Sequence, residues 1–209
     1  MFARQADSGV TKLTRRAEKR LVTEARKGCE EAARELVRVH QDRLFAFVWR
    51  ILRDHHESEE ICQDAFLRAF SSLDSFSANY RFSTWLFTIA YRLCLNQLRR
   101  RKSVTGEIDF TAMAASQPDV AEHVAETEEA RRLKDQIWIA VDQLSMPQRA
   151  AVLLFYREGL SCEAIAKTLG IPTATAKSHL HRARGRLREL LAETVQDFSQ
   201  IQSLREAAS

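Results

Sequence analysis

The sequence is poor in the residues that break helices, because its 209 residues include only three prolines and six glycines. All-β folds join many short strands through turns rich in these two residues, so the composition argues against such a fold. Cysteine is also scarce: the four occur singly at positions 29, 62, 94 and 162, and no Cys-x-x-Cys pair is present. We therefore expect free thiols in a reducing cytoplasm.

Long apolar runs are missing as well. The longest, from Ala150 to Tyr156, has seven residues, whereas a membrane-spanning helix needs about 20. The N-terminus carries basic residues but lacks the apolar core of a secretion signal. These absences predict a cytoplasmic protein without membrane insertion.

Positive charge is absent from one stretch of the chain. Residues 103–130 contain no Lys or Arg and seven acids, whereas residues 1–102 carry a net charge of +7 and residues 131–209 a net charge of +4. Two basic blocks favour two contacts with a polyanion. The acidic segment between them is interpreted first as a flexible tether.

A helix-turn-helix is predicted between Leu160 and Leu191. Ser161 is suited to cap a short helix, and Gly170 supplies the positive φ that ends it. The next helix, with Thr173 or Thr175 at its cap, repeats apolar residues at steps of three and four and carries five basic residues up to Arg188. This pattern is typical of a helix that lies in the DNA major groove.

The N-terminal block reads as a helical bundle. Asp54 and Glu57 have the spacing of a capping box, and an apolar stripe from Ile61 to Leu73 follows them. A long helix precedes the box, either continuous or interrupted near His40. A third helix begins near Trp85 and runs into a basic end at 99–102, so the three stripes can pack together.

A polar segment with aromatic residues separates the last two of these helices. Aromatic rings beside Arg, Asn and Ser suit a pocket for an unstacked base. Burial habits favour the other interpretation, in which Phe76, Phe82, Trp85 and Phe87 fill the bundle core.

Two segments together resemble the extracytoplasmic-function group of bacterial sigma factors. The first comprises Glu57 to Phe70 and Phe82 to Arg100; the second comprises Leu144 to Arg149 and the helix-turn-helix with Ser178 to Arg184. The resemblance covers the chain from about Leu21 to Leu191. It implies an alternative sigma factor that directs core RNA polymerase to promoters by reading the −35 element as duplex and opening the −10 element.

The resemblance implies an all-α fold of two small helical domains. The expected divisions are an N-terminal extension (1–18), sigma domain 2 (19–102), an acidic linker (103–128), sigma domain 4 (129–192) and a C-terminal tail (193–209). The implied partners are core polymerase, through its β′ clamp helices and β flap, promoter DNA and an anti-sigma factor. In the family, the linker threads the channel that RNA later occupies.

The same resemblance assigns three sets of contact residues. The polymerase-binding set is Glu60, Gln63, Asp64 and Arg68. The −10 set is Ser75, Phe76, Asn79, Tyr80, Tyr91, Arg92, Asn96, Arg99 and Arg100. The −35 set is Thr175, Lys177, Ser178, His181, Arg182, Arg184 and Arg186.

Two other classes of protein fit parts of the pattern. One is an ordinary helix-turn-helix regulator whose N-terminal domain senses a ligand or dimerises. The other is an adaptor that binds polymerase without reading DNA. The sequence shows no phosphate-cradling loop, Ser/His/Asp set or metal-spaced carboxylates, so we expect neither catalysis nor a cofactor.

Overall fold

The computed structural model describes residues 13–77, 80–105 and 128–207, and all regular structure in these ranges is helical. The predicted acidic linker falls mostly on residues 106–127 and therefore lies outside the described residues. The chain divides into two compact units, of which the first contains the helices before this segment and the second those after it.

The first unit contains four helices: α1 (Arg15–Arg26), α2 (Glu30–Leu52), α3 (His55–Ser71) and α4 (Phe82–Thr105). Helix α2 packs against the other three, and α3 also packs against α4. Leu36, Leu44, Val48, Leu86 and Phe87 are fully buried in the core. Helix α2 runs unbroken through His40, so an interruption there is excluded.

The start of α3 confirms half of the predicted capping box. Asp54 Oδ1 accepts a hydrogen bond of 2.8 Å from the backbone N–H of Glu57. The carboxylate of Glu57 is engaged by the Arg101 guanidinium from α4. Glu57 thus joins the start of α3 to the end of α4.

Helix α1 is the element that the sequence reading missed, since the predicted domain boundary at residue 19 falls inside it. Its Glu18 is only 2% exposed. Glu18 Oε1 accepts from the backbone N–H of Ser83 at 3.1 Å, and Arg81 Nε lies 3.2 Å from Glu18 Oε2. Glu18 therefore satisfies a free N–H in the first turn of α4 and compensates the charge of Arg81.

The second unit contains α5 (Glu128–Asp142), α6 (Met146–Val152), α7 (Cys162–Leu169) and α8 (Thr173–Ala207). A π-helical turn, Leu153–Arg157, extends α6. Helix α8 packs against the other three. The predicted apolar repeat is confirmed at Ala176, Leu180, Ala183 and Leu190, which are buried, whereas its fifth member, Leu187, is half-buried.

The turn between α7 and α8 follows the sequence prediction at its beginning. Ser161 Oγ accepts from Ala164 N–H at 3.2 Å, and Gly170 has a φ of 68°. The cap of α8 was predicted wrongly: its first helical bond runs from Ala176 N–H to Pro172 O, so the cap is Pro172 rather than Thr173 or Thr175. The backbone of α8 continues through most of the predicted tail, to Ala207.

The buried His40 makes the first unit sensitive to acid. Its ring is 2% exposed, and neither of its ring nitrogens has a hydrogen-bond partner. Burial, reinforced by the positive charges of Arg43 and Arg81, lowers the pKa of His40 to about 4. The Glu18 carboxylate, 3.5 Å from Nε2, does not reverse this because Arg81 and the Ser83 N–H already engage it.

We expect the free energy of unfolding to fall as the pH drops from about 6.5 to about 4. The unfolded chain takes up the His40 proton first, because its histidine pKa is the ordinary one, and about 3 kcal/mol is lost across this window. Urea unfolding followed by tryptophan fluorescence measures the loss. His40→Leu serves as the control and should lack this component. Equal pH slopes for the two proteins would contradict the assignment.

Candidate polymerase and promoter interfaces

Helix α3 presents an exposed stripe along the side that faces away from the core. Glu60, Gln63, Asp64, Leu67 and Arg68 occupy helical positions i, i+3, i+4, i+7 and i+8, so their side chains share one face. Asp64 pairs with Arg68 at 3.0 Å. Leu67 is 69% exposed in the middle of the stripe.

Leu67 is the member of this surface that sequence reasoning missed. Its position along the helix was the available signal. Leu67 falls outside the stripe of buried side chains formed by Cys62, Ala65, Phe66 and Ala69. An exposed apolar side chain framed by polar and charged groups is the composition of a protein–protein contact. The predicted polymerase-binding residues are thus brought together on one helix face, with Leu67 among them.

Helix α4 presents a basic face. Arg92, Asn96, Arg99 and Arg100 are all exposed, at helical positions i, i+4, i+7 and i+8. Guanidinium groups in this array suit the phosphates of a nucleic-acid strand. Four of the predicted −10 residues therefore lie on one surface.

Tyr91 does not belong to that surface, and the prediction that it lines the DNA strand is corrected. It is 4% exposed, and burial raises the pKa of its phenol to about 12. Tyr91 immediately precedes Arg92, so the helical turn of about 100° per residue directs it toward the core. Adjacent positions of the family motif were assigned one role, although their side chains point in directions about 100° apart.

The segment between α3 and α4 holds a second correction. Phe76 is buried, with its ring centroid 5.1 Å from Trp85 and 6.1 Å from Phe82. The core interpretation was therefore right for Phe76, which is not available to a base. Ser75 is exposed and Tyr80 is 49% exposed, whereas the predicted Asn79 lies outside the described residues. Tyr80 is thus the exposed aromatic ring of the described part of this segment.

The second unit exposes the predicted reading face on the N-terminal half of α8. Lys177, His181 and Arg184 share one side at positions i, i+4 and i+7, with Ser178 and Arg182 exposed beside them. Thr175 is half-buried in the first turn. Base contacts in helix-turn-helix proteins come from this half of the recognition helix. Arg186 is exposed and pairs with Glu189 at 3.2 Å. Its place nearer the phosphates stays a prediction.

Arg184 is held by an aromatic pair from the π-helical turn. Its Nε donates to the Tyr156 hydroxyl at 2.8 Å, and its guanidinium carbon lies 5.1 Å from the Phe155 ring centroid. A hydrogen bond and a cation–π contact together restrict a side chain that would otherwise sample many rotamers. Sequence reading gave Tyr156 no role, because its partner lies 28 residues away.

Within the described ranges, no three His, Cys, Asp or Glu side chains are grouped to hold a metal ion, and no helix is long and apolar enough to cross a membrane. Cys62 and Cys94 are buried, and burial raises the pKa of both thiols, that of Cys62 to about 12. Neither thiol is therefore an accessible reactive group.

Comparison with known proteins decides the family. The model of sigma-70 region 2 matches residues 36–104, and that of sigma-70 region 4 matches residues 134–187. The extracytoplasmic-function (ECF) sigma factor SigW of Bacillus subtilis is 32% identical over 181 residues, which is 84% of this chain and 97% of SigW. This chain belongs to the ECF group of the sigma-70 family.

Other relatives agree. The sigma-H factor of Pseudomonas aeruginosa is 32% identical, with 82% of this chain and 92% of that protein covered. The structure of the Bartonella quintana sigma factor RpoE in complex with the anti-sigma factor NepR matches 76% of this chain and 96% of its own, at 28% identity and a TM-score of 0.63. The predicted family and the all-α fold are confirmed. This sigma factor directs RNA polymerase to promoters and is not an enzyme.

We expect Tyr156→Phe to weaken binding of the sigma factor to −35 duplex by about 2- to 10-fold, the range for one modest hydrogen bond. The substitution keeps the ring and removes only the hydroxyl that orients Arg184. Fluorescence anisotropy with a labelled duplex measures the affinity.

The matched control is the same change in an Arg184→Ala background, where Tyr156→Phe should have no further effect. A loss of equal size in both backgrounds would mean that Tyr156 acts independently of Arg184.

Proposed function

We propose that the sigma factor contacts its partners through the three exposed faces described above. The α3 stripe binds core polymerase, the α4 face with Tyr80 binds the opened −10 strand, and the N-terminal half of α8 reads the −35 duplex. The division into domains 19–102 and 129–192 belongs to the same proposal, with α1 added to the first. The observation that carries it is that the exposed members of each set lie together on one face of α3, α4 or α8, with Tyr80 exposed just before α4.

Promoter opening follows from the chemistry of the first unit. Unstacking a base costs a few kcal/mol, which polymerase binding and capture of the extruded base can offset. Arg92, Arg99 and Arg100 attract the phosphates of the separated strand, and the half-exposed ring of Tyr80 offers a surface on which a base can stack. The sigma factor supplies binding energy here, and the polymerase supplies the chemistry.

We further propose a cytoplasmic site of action and an anti-sigma partner. Core polymerase and promoter DNA are in the cytoplasm, which supports a site of action there. The relative from Bartonella quintana was solved in complex with an anti-sigma factor, and this likeness supports a protein of that class as the regulator of this chain.

Run-off transcription with core polymerase, this protein and a genomic promoter library tests the proposal. A transcript that depends on the protein and on both promoter elements is expected. A protein that binds a palindrome tightly alone and yields no transcript would be a regulator, and one that binds polymerase without selecting promoters would be an adaptor.

Asp64→Arg should weaken binding to core polymerase by at least about tenfold, because it breaks the ion pair with Arg68 and reverses a charge inside the interface. Binding to −35 duplex should not change. Co-purification with core polymerase and duplex anisotropy give the two readouts.

The control is Asp42→Arg, which makes the same charge change on the exposed side of α2 and should leave polymerase binding intact. Equal losses for the two variants, or a loss of both polymerase and duplex binding in Asp64→Arg, would contradict the assignment.

Lys177→Ala should change which −35 sequences are preferred, because Lys177 is exposed in the base-reading half of α8. Arg188→Ala, three turns farther along the same helix, should leave the order of preference unchanged. Selection from a randomised −35 library measures both. An unaltered preference in Lys177→Ala would show that another face of α8 enters the groove.

A further inference from the structure

The beginning of the segment between α3 and α4 is attached to α1 by the side chain of Arg26. Arg26 Nε donates to the carbonyl of Leu73 at 2.8 Å, and its Nη2 donates to the carbonyl of Phe76 and, at 3.4 Å, to that of Asp74. The guanidinium carbon also lies 6.0 Å from the Phe76 ring centroid. The Arg26 guanidinium therefore binds three backbone carbonyls of the same turn.

The other end of the segment is fastened to the same helix. Arg81 Nη2 donates to the carbonyl of Leu13 at 2.7 Å, and Glu18 accepts from Ser83 N–H at 3.1 Å. Helix α1 and the residues just before it thus hold the chain on both sides of the stretch that carries Tyr80. Arg26 makes these contacts at the beginning of the segment, and Glu18 and Arg81 make them at its end.

Arg26 is not needed to bring the segment to the core, because Leu73 and Phe76 are buried there by their own side chains. What Arg26 adds is a fixed direction for the carbonyls of residues 73, 74 and 76. These carbonyls belong to the described stretch of the segment that precedes Tyr80. A planar guanidinium with its donors in a rigid fork can fix their direction, whereas the point charge of a lysine cannot.

We infer that Arg26 is a positioning residue for −10 recognition, holding this segment in the conformation that receives an unstacked base. The inference rests on the proposed function, in which the segment and the α4 face bind the −10 strand. It goes beyond the match to the sigma-70 region 2 model, which begins at residue 36 and does not include α1. A pre-formed segment binds the strand without the entropic cost of being ordered first. Loss of Arg26 should therefore lower the affinity for the −10 strand.

The test uses the full chain bound to core polymerase and a labelled single strand that carries the −10 sequence of a promoter active in the run-off assay. Arg26→Gln should lower the affinity of the holoenzyme for this strand roughly tenfold and reduce its discrimination between the correct and a substituted −10 base. Binding of core polymerase and of −35 duplex should be unchanged.

The matched control is Arg20→Gln, which removes the same charge from an exposed position of the same helix. Arg20 Nε lies 3.8 Å from Glu24 Oε1. This variant should bind the strand like the unmodified protein. Arg26→Lys keeps the positive charge but lacks the planar fork of donors, so it should bind the −10 strand as weakly as Arg26→Gln. Equal strand binding by Arg20→Gln and Arg26→Gln, or full recovery in Arg26→Lys, would overturn the inference.

Two further comparisons separate a loss of positioning from unfolding and from failure of the proposed −10 surface. The ratio of affinities for the two strands does not depend on the fraction of folded protein, so partial unfolding of Arg26→Gln cannot imitate lost discrimination. Arg99→Ala separates this inference from the function on which it rests. If Arg99→Ala weakens strand binding and Arg26→Gln does not, the positioning role alone is wrong; if neither does, the proposed −10 surface is wrong.

Discussion

The first unit depends on one buried carboxylate. Glu18 is almost inaccessible to water, a costly place for a charge unless every oxygen is engaged. The backbone of Ser83 and the guanidinium of Arg81 engage it, and the neutral ring of His40 lies beside it. The carboxylate therefore joins α1 to α2 and to the beginning of α4. The start of α4 in turn fixes where its exposed arginines lie.

Each interface follows from the same helical constraint. A helix that buries one stripe must expose the opposite one, and the exposed stripes of α3, α4 and α8 differ in chemistry. That of α3 is mixed, with Leu67 among charged and amide groups, as protein contacts are. Those of α4 and α8 are basic and suit phosphates. The separation of the two basic surfaces into two compact units matches a sigma factor that reads two promoter elements.

Local signals predicted the parts of the fold that local interactions determine. Ser161 and Gly170 delimit α7, and Asp54 caps α3, because caps and positive-φ residues act within a few positions of the chain. Helix α1 carries a local signal that the prediction did not use, because the Thr14 side chain caps it by accepting from Ala17 N–H. Its attachment to the first unit, made by Arg26 and Glu18 to residues 47 and 65 positions away, follows from no local pattern. Tyr91 and Phe76 were misplaced because a motif gives positions along the chain, whereas the packing of the helices decides which of those side chains are buried. The role of Tyr156 depends on Arg184, which no local pattern connects to it.

The central claim is that the segment around Tyr80 meets the −10 strand while the N-terminal half of α8 meets the −35 duplex. Site-specific photocrosslinking in an open promoter complex tests it most directly, with a photoreactive phenylalanine replacing Tyr80 in one protein and His181 in another. The account predicts that the first crosslinks to the non-template strand of the −10 element and the second to the −35 duplex. Crosslinks from position 80 to the −35 duplex and from position 181 to the −10 strand would contradict it. Crosslinks from both positions to polymerase alone would also contradict it.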